Sequence, residues 1–227
     1  DKITRGRAIS AVQWSPKHPE LLLAGYHAPT VKTNSDDPDG AVLVWSLAME
    51  SRAEFVLTCQ SAVSTARFSD YSPHLIVAGT HSGQVVLWDT RERATPVARS
   101  PLSSQAHTHP VFSLATVGTQ NAHSVVTIST DGRMCVWNVG MLNEPQESLE
   151  LVREVESTSE TEARGNKREA CVTALGFPEG EVNSFVVGCE DGEIYSACRH
   201  GANKGITGNL GSHGGPVTSL QFHPSNG

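Results

Sequence analysis

Five times along this chain an apolar residue is followed by another three positions on and a third two further. The segments are Ile9-Val12-Trp14, Val63-Ala66-Phe68, Val111-Leu114-Thr116, Val172-Leu175-Phe177 and Val217-Leu220-Phe222. A repeat of this kind constrains a fold strongly, because each unit must bury its apolar face against the next. Each segment reads as a short inner strand. Four of them lead into a second apolar run: Leu21-Leu22-Leu23-Ala24, Leu75-Ile76-Val77-Ala78, Val125-Val126-Thr127-Ile128 and Phe185-Val186-Val187-Gly188. A turn then closes on Gly40, Gly83, Gly132 or Gly192. Asp39-Gly40, Ser82-Gly83, Asp131-Gly132 and Asp191-Gly192 are hairpin signals, since glycine tolerates positive φ and the small polar residue before it can bond the turn backbone. A third strand must follow. In three cases it places a tryptophan five residues after the glycine, at Trp45, Trp88 and Trp137; in the fourth the position is Ala197. These anchors lie 43, 49 and 60 residues apart, close to one four-stranded propeller blade plus loop insertions.

The expected organisation is all-β: a propeller region with blades over roughly 9–58, 62–100, 107–152 and 171–210, and the first strand of a fifth in 213–227. Two insertions interrupt the period. Tyr26 to Asp39 replaces a tight turn in the first blade, and 141–170 lengthens the passage from the third blade to the fourth. The core of the second insertion, 153–170, is so poor in apolar residues that a polar, mobile loop is expected there.

Composition narrows the function classes. The net charge of −7 comes from 17 Lys and Arg against 24 Asp and Glu, which offers no general electrostatic footprint for nucleic acid or an anionic membrane. Five cysteines without a Cys-x-x-Cys pair argue against a disulfide framework or a zinc knuckle and fit a reducing compartment. The apolar runs are strand-sized, so no membrane span is expected. The chain opens on Asp1 rather than Met, so the lack of a leader carries no weight.

Chemistry is sparse. His107-x-His109 has no Cys, Asp or Glu close in sequence to complete a metal site. The glycines around Gly79 and Gly83 lack the Gly-x-x-x-x-Gly-Lys run of a phosphate cradle. Glu144, Glu147, Glu150, Glu154 and Glu156 fall in the polar insertion, where a solvated face is the ordinary outcome. No catalytic residue, cofactor or metal is assigned, and a non-catalytic interaction platform is the expected function.

The segments resemble WD40 repeats. The literal pair is Trp88-Asp89, with variants at Trp45-Ser46 and Trp137-Asn138. The resemblance implies a buried hydrogen-bond chain in the third blade made by His107, Thr127, Asp131 and Trp137, with Trp45, Trp88 and Asp89 as anchors elsewhere. The second blade departs from the pattern at Ala78 and Ser82, and the fourth at Arg168, Val187 and Ala197. Rings of this type close with about seven blades, so the chain reads as part of a longer protein and is expected to aggregate at this length.

Stretches outside the repeat pattern carry a second resemblance. They include Ala106-His107-Thr108-His109-Pro110-Val111, Val117-Gly118-Thr119-Gln120-Asn121-Ala122-His123, Asn183-Ser184-Phe185-Val186-Val187-Gly188 and Ala197-Cys198-Arg199-His200-Gly201. With Pro38-Asp39-Gly40 and the run Ala78 to Asp89, they are similar to the C-terminal propeller of the cytoplasmic dynein intermediate chain family. That resemblance implies a non-catalytic motor subunit, cytoplasmic and microtubule-associated, whose propeller grips the dynein heavy chain. ATP hydrolysis would belong to the heavy chain. The family's light-chain and dynactin contacts map before the propeller and are not carried onto these residues. Tyr26 and His109 are expected as exposed, loop-borne partner contacts. A ubiquitin-ligase substrate receptor would share the blades without these loop stretches, and a propeller enzyme or metal protein would need acids or histidines converging on the channel.

Overall fold

Alternation along each apolar run gives a strand one face per neighbouring sheet, and the short turns between runs force antiparallel meanders. The computed structural model describes residues 3–31, 37–49, 51–155 and 166–223. Strands β1 (Ile9–Trp14), β2 (Leu21–Tyr26), β3 (Gly40–Ser46) and β4 (Phe55–Cys59) form the first four-stranded sheet in chain order. The second contains β5 (Val63–Phe68), β6 (Leu75–Thr80), β7 (Val85–Asp89) and the short β8 (Ala98–Arg99). The third contains β9 (Val111–Thr119), β10 (Ala122–Ser129), β11 (Arg133–Trp137) and β12 (Glu147–Glu150). A two-stranded hairpin of β13 (Val152–Val155) and β14 (Asn166–Glu169) precedes the fourth sheet, which contains β15 (Val172–Gly176), β16 (Ser184–Cys189), β17 (Glu193–Cys198) and β18 (Gly205–Ser212).

The first strands β1, β5, β9 and β15 neighbour one another in succession, so the sheets are blades set around one axis with the first strand innermost. Apolar layers lie between them. Leu23, Val42, Val44 and Leu57 of the first blade pack on Ala66, Phe68, Ile76 and Trp88 of the second. Val77, Val85 and Leu87 meet Leu114, Val125, Cys135 and Trp137, and Val126, Ile128, Met134 and Val136 meet Leu175, Phe185, Val187 and Tyr195. Each buried Val, Leu, Ile, Phe or Met side chain among them contributes about 1.5–3 kcal/mol. The register places the anchors equivalently: Trp45 opposite Leu22, Trp88 opposite Ile76, Trp137 opposite Val125 and Ala197 opposite Phe185.

Two expectations are corrected. The stretch 153–170 is not wholly loop: its ends are strands β13 and β14, paired from Val152↔Glu169 to Val155↔Asn166. Buried Leu151 and Ala170 hold the hairpin base, where the Leu151 amide donates to the Gly132 carbonyl and the Ala170 amide to the Leu151 carbonyl. Residues 156–165, including Ser157 to Thr161 and Glu156, lie outside the described residues. The segment 217–222 takes the inner position beside the fourth blade without strand hydrogen bonding. Its Val217 amide donates to the Cys189 carbonyl at 3.1 Å, and the Thr173 hydroxyl donates to the Val217 carbonyl at 2.6 Å. A ladder needs a second strand, and none of the described residues supplies one.

The first blade stands apart in burial. Val63, Val111 and Val172 are each 0% exposed and Val217 is 7% exposed, while the equivalent Ile9 is 59% exposed. Val12 and Trp14 are 59% and 53% exposed, against 1% and 3% for their counterparts Ala66 and Phe68. An uncovered apolar face of this kind drives association. The 227-residue chain is therefore expected to self-associate through it, and combining Val12→Ser with Trp14→Ser should lower static light scattering at equal concentration. Unchanged scattering would place the sticky surface elsewhere.

Candidate functional site

The third blade holds the densest polar cluster in its core. His107 enters from the connection leading into β9, Thr127 from β10, Asp131 from the β10–β11 turn and Trp137 from the end of β11. The Trp137 indole Nε1 donates to the Thr127 hydroxyl at 2.8 Å, and that hydroxyl lies 2.7 Å from His107 Nε2. With one proton and two lone pairs, that hydroxyl also reaches the Cys135 carbonyl at 3.4 Å, and the donor in its contact with Nε2 follows from the imidazole tautomer. Nδ1 faces Asp131 Oδ1 at 3.6 Å, longer than a hydrogen bond and close enough for electrostatic attraction. His107, Thr127 and Trp137 are all within 1% of complete burial, where unpaired polar groups are costly.

Asp131 organises the turn. It accepts from the Thr108 amide at 2.9 Å and the Arg133 amide at 3.0 Å. Burial alone would push its carboxyl up, but His107 and these amides outweigh it and hold it at about 2. Gly132 turns the chain with φ +70°, and a Cβ there would stand 2.8 Å from Glu169 Cβ, so the turn is pressed against the path to the next blade.

The other blades fix the same turn with different groups. In the fourth, Asp191 pairs with Arg153 from β13, whose guanidinium also reaches the Tyr195 hydroxyl at 3.4 Å. The second has Ser82, whose amide donates to the Ser61 hydroxyl at 3.1 Å. In the first, the Arg7 guanidinium donates to the carbonyls of His27, Pro38 and Asp39. Arg7, Ser61 and Arg153 were not among the expected network residues. A positional signal existed for Arg7 and Ser61, which stand just before β1 and β5 as His107 stands before β9, but the residue types differ; Arg153, on β13, carried none. Trp88 also departs from the expected pattern: with Ala78 where the third blade has Thr127, its indole donates to the Thr58 carbonyl of the first blade at 3.3 Å.

Asp89 is a local staple. Its carboxylate accepts from the Arg91 amide and side chain at 2.7–3.0 Å, and Arg91 holds the carboxyl at about 2. Tyr26 corrects an expectation: it ends β2 and is 7% exposed, packed with Ala24, Ala41 and Leu43, because its side chain points to the apolar face of the strand. His109 is exposed on its loop, 3.1 Å from the Thr108 hydroxyl through Nδ1. Burial pushes the thiols of Cys59, Cys135 and Cys189 up to about 11, 12 and 12, which keeps them protonated at neutral pH. Among the described residues no group of three or more His, Cys, Asp or Glu could hold a metal ion, and no helix is long and apolar enough to cross a membrane.

Blades stacked around one axis and an imidazole–hydroxyl–indole chain inside one of them make this a WD40 β-propeller region, and residues 49–89 match the family model of the WD domain, G-beta repeat. Over 225 residues, 98% of its length, the chain is 44% identical to the cytoplasmic dynein 1 intermediate chain of Drosophila melanogaster. The chain spans 32% of that relative. The resemblance first carried by the loop stretches thus extends over nearly the whole chain.

Replacing His107 with alanine leaves the Thr127 hydroxyl and Asp131 short of a buried partner, and thermal or urea unfolding should show a loss of about 1–3 kcal/mol. The acid limb should respond to Asp131. Folding lowers its pKa from 3.8 to about 2, so its contribution is complete above the higher value and disappears as the pH falls toward the lower. Asp131→Asn should flatten the fall in melting temperature across that window; an unaltered slope would assign the acid sensitivity to other carboxylates.

Proposed function

We propose that this chain is the propeller of a non-catalytic dynein intermediate chain, which holds the dynein heavy chain and so supports microtubule-based transport in the cytoplasm. The carrying observation is the 44% identity over 225 residues, which includes loops that a propeller fold does not require. The blade architecture agrees with it, because rigid strands with variable connections suit a surface that holds other proteins. On this reading ATP hydrolysis resides in the heavy chain, and the propeller needs neither cofactor nor metal. Exposed His109 and the connection from His27 to Asp39 are the residues proposed to meet the partner; buried Tyr26 supports the strand behind them.

A tagged complete protein carrying this region, recovered from cell extract and analysed by mass spectrometry, should bring down a dynein heavy chain. His109→Ala should reduce the yield of heavy chain without changing the melting temperature. Recovery of ubiquitin-ligase subunits with no heavy chain would overturn the proposal in favour of a substrate receptor.

A further inference from the structure

Four Ser-Pro or Thr-Pro pairs occur in the sequence, at Ser15, Ser72, Thr95 and Ser100. A protein kinase can use such a hydroxyl only where it is free to be held in line with the γ-phosphate of ATP. Three of the four are poorly placed for that. Ser15 is 7% exposed, and its hydroxyl accepts from the amides of Lys17 and His18 at 3.4 and 3.1 Å. Ser100 is 0% exposed, with its hydroxyl accepting from the Val85 amide at 2.9 Å. Ser72 is half-buried in a turn bonded at both ends, its amide donating to the Ser69 hydroxyl at 3.3 Å and its carbonyl accepting from the Leu75 amide at 2.9 Å. Thr95 differs: it is exposed, and its hydroxyl, amide and carbonyl make no hydrogen bond among the described residues. Pro96 biases it toward extended backbone.

The surroundings of Thr95 suit a phosphate. It lies on the connection between β7 and β8, held on either side where the Thr58 amide donates to the Ala94 carbonyl and the Val97 amide to the Leu87 carbonyl, each at 2.8 Å. Thr95 lines a cleft of about 590 Å³ at the seam of the first two blades, together with Arg93 and Arg99. Among the described residues no Asp or Glu lines this cleft. Both arginines are exposed, and the acceptors they reach are neutral: Arg93 donates to the Pro96 carbonyl and Arg99 to the Gln60 side chain, each at a long 3.4 Å. Acids close in sequence act on other cations, Asp89 and Glu92 on Arg91, and Asp37 and Asp39 on Arg7. Guanidinium groups are well matched to phosphate, which they can bind through two parallel hydrogen bonds.

We propose that Thr95 is a phosphorylation site for a proline-directed protein kinase, and that Arg93 and Arg99 receive the phosphate. In the transfer the Thr95 hydroxyl oxygen bonds the γ-phosphorus of ATP as the bond from that phosphorus to the β–γ bridging oxygen breaks. ADP leaves, and the hydroxyl proton passes to the catalytic carboxylate of the kinase. The product carries a charge of about −1.5 to −2 at pH 7 and three strong acceptor oxygens. Two guanidiniums thereby gain an anionic partner where the first blade meets the second. The site does not depend on which protein the propeller holds.

The test incubates the complete protein carrying this region with a purified proline-directed kinase and ATP, and maps the product by tandem mass spectrometry. Phosphate should appear on Thr95 and not on Ser15 or Ser100, and Thr95→Ala should remove it. Phosphorus NMR then titrates the phosphothreonine. Neighbouring cations favour the dianion, so its second pKa should lie at least about half a unit below that of the same residue in an unfolded peptide spanning 88–102. Arg93→Gln with Arg99→Gln should bring the two values together. The comparison with the peptide decides the point on the unsubstituted protein even if the kinase rejects the double variant. An unmodified Thr95, phosphate on Ser15 or Ser100 in its place, a phosphothreonine that titrates as it does in the peptide, or a titration unchanged by the two substitutions would each overturn the proposal.

Discussion

The spacing between one blade's second turn and the backbone leading into the next blade governs this structure. At Gly83 an added Cβ would stand 2.7 Å from the His107 carbonyl oxygen; at Gly40 and Gly192 it would overlap the carbonyls of Ser61 and His213. Gly132 is pressed in the same way against Glu169. The turn glycines are thus demanded twice where φ is positive, as at Gly192 with +92°, once by backbone conformation and once by the neighbouring chain. Gly40 shows the two demands apart, since it begins β3 without positive φ and answers only to the close approach. The same approach brings Gly79 against Val111 and Gly188 against Val217. Blades joined this tightly cannot shift independently without a clash, which makes the interlocked apolar layers possible.

Anchoring the turn is a separate problem, and each blade solves it with what its connection supplies. His107 does so through a buried network, Arg153 through an ion pair, Arg7 by donating to backbone carbonyls and Ser61 with one hydroxyl. These solutions are not energetically equal. A buried imidazole network depends on every member, so one deletion orphans several groups, whereas Arg153 sits where solvent screens part of its attraction. The indole of Trp88 ties the second blade to the first instead of to its own second strand. An inter-blade bond there takes the place of an internal one.

Strand order and the equivalent placing of the tryptophans were legible in the sequence, because repetition exposes them: equivalent residues recur at equivalent distances from a glycine, whereas the His107–Thr127–Trp137 chain, found in the third blade alone, was an expectation of the WD40 resemblance. What was not legible lacks that repetition. Arg153 lies in a polar stretch whose composition suggests loop, and its role follows only from its proximity to Asp191 in the folded chain. Tyr26 borders a long insertion, and nothing local says that β2 continues through it to a buried position. The segment around Val217 has the inner-strand pattern, yet pattern specifies a face to bury and not a hydrogen-bonding partner. The resemblance to the dynein intermediate chain family was read from loop stretches, which the strand pattern leaves free to vary.

The same geometry explains where this chain tolerates change. The turns at Gly83, Gly132 and Gly192 touch the connections at His107, Glu169 and His213, so turns and connections share one rim of the blades. The strand ends joined by the two insertions, of β2 to β3 and of β12 to β15, lie on that rim, as does the loop bearing His109. Strand register is fixed by the apolar layers beneath, so length added at this rim costs mainly loop-closure entropy, about 0.6 kcal/mol for each doubling. On the opposite rim the β9–β10 turn is tight, and the Tyr71 hydroxyl donates to the Gly118 carbonyl while its ring packs tilted against His123, with ring centroids 4.6 Å apart. Insertions there would break contacts between blades. A surface able to diversify without loosening the blades therefore belongs to the rim of turns and connections, where the sequence is most irregular.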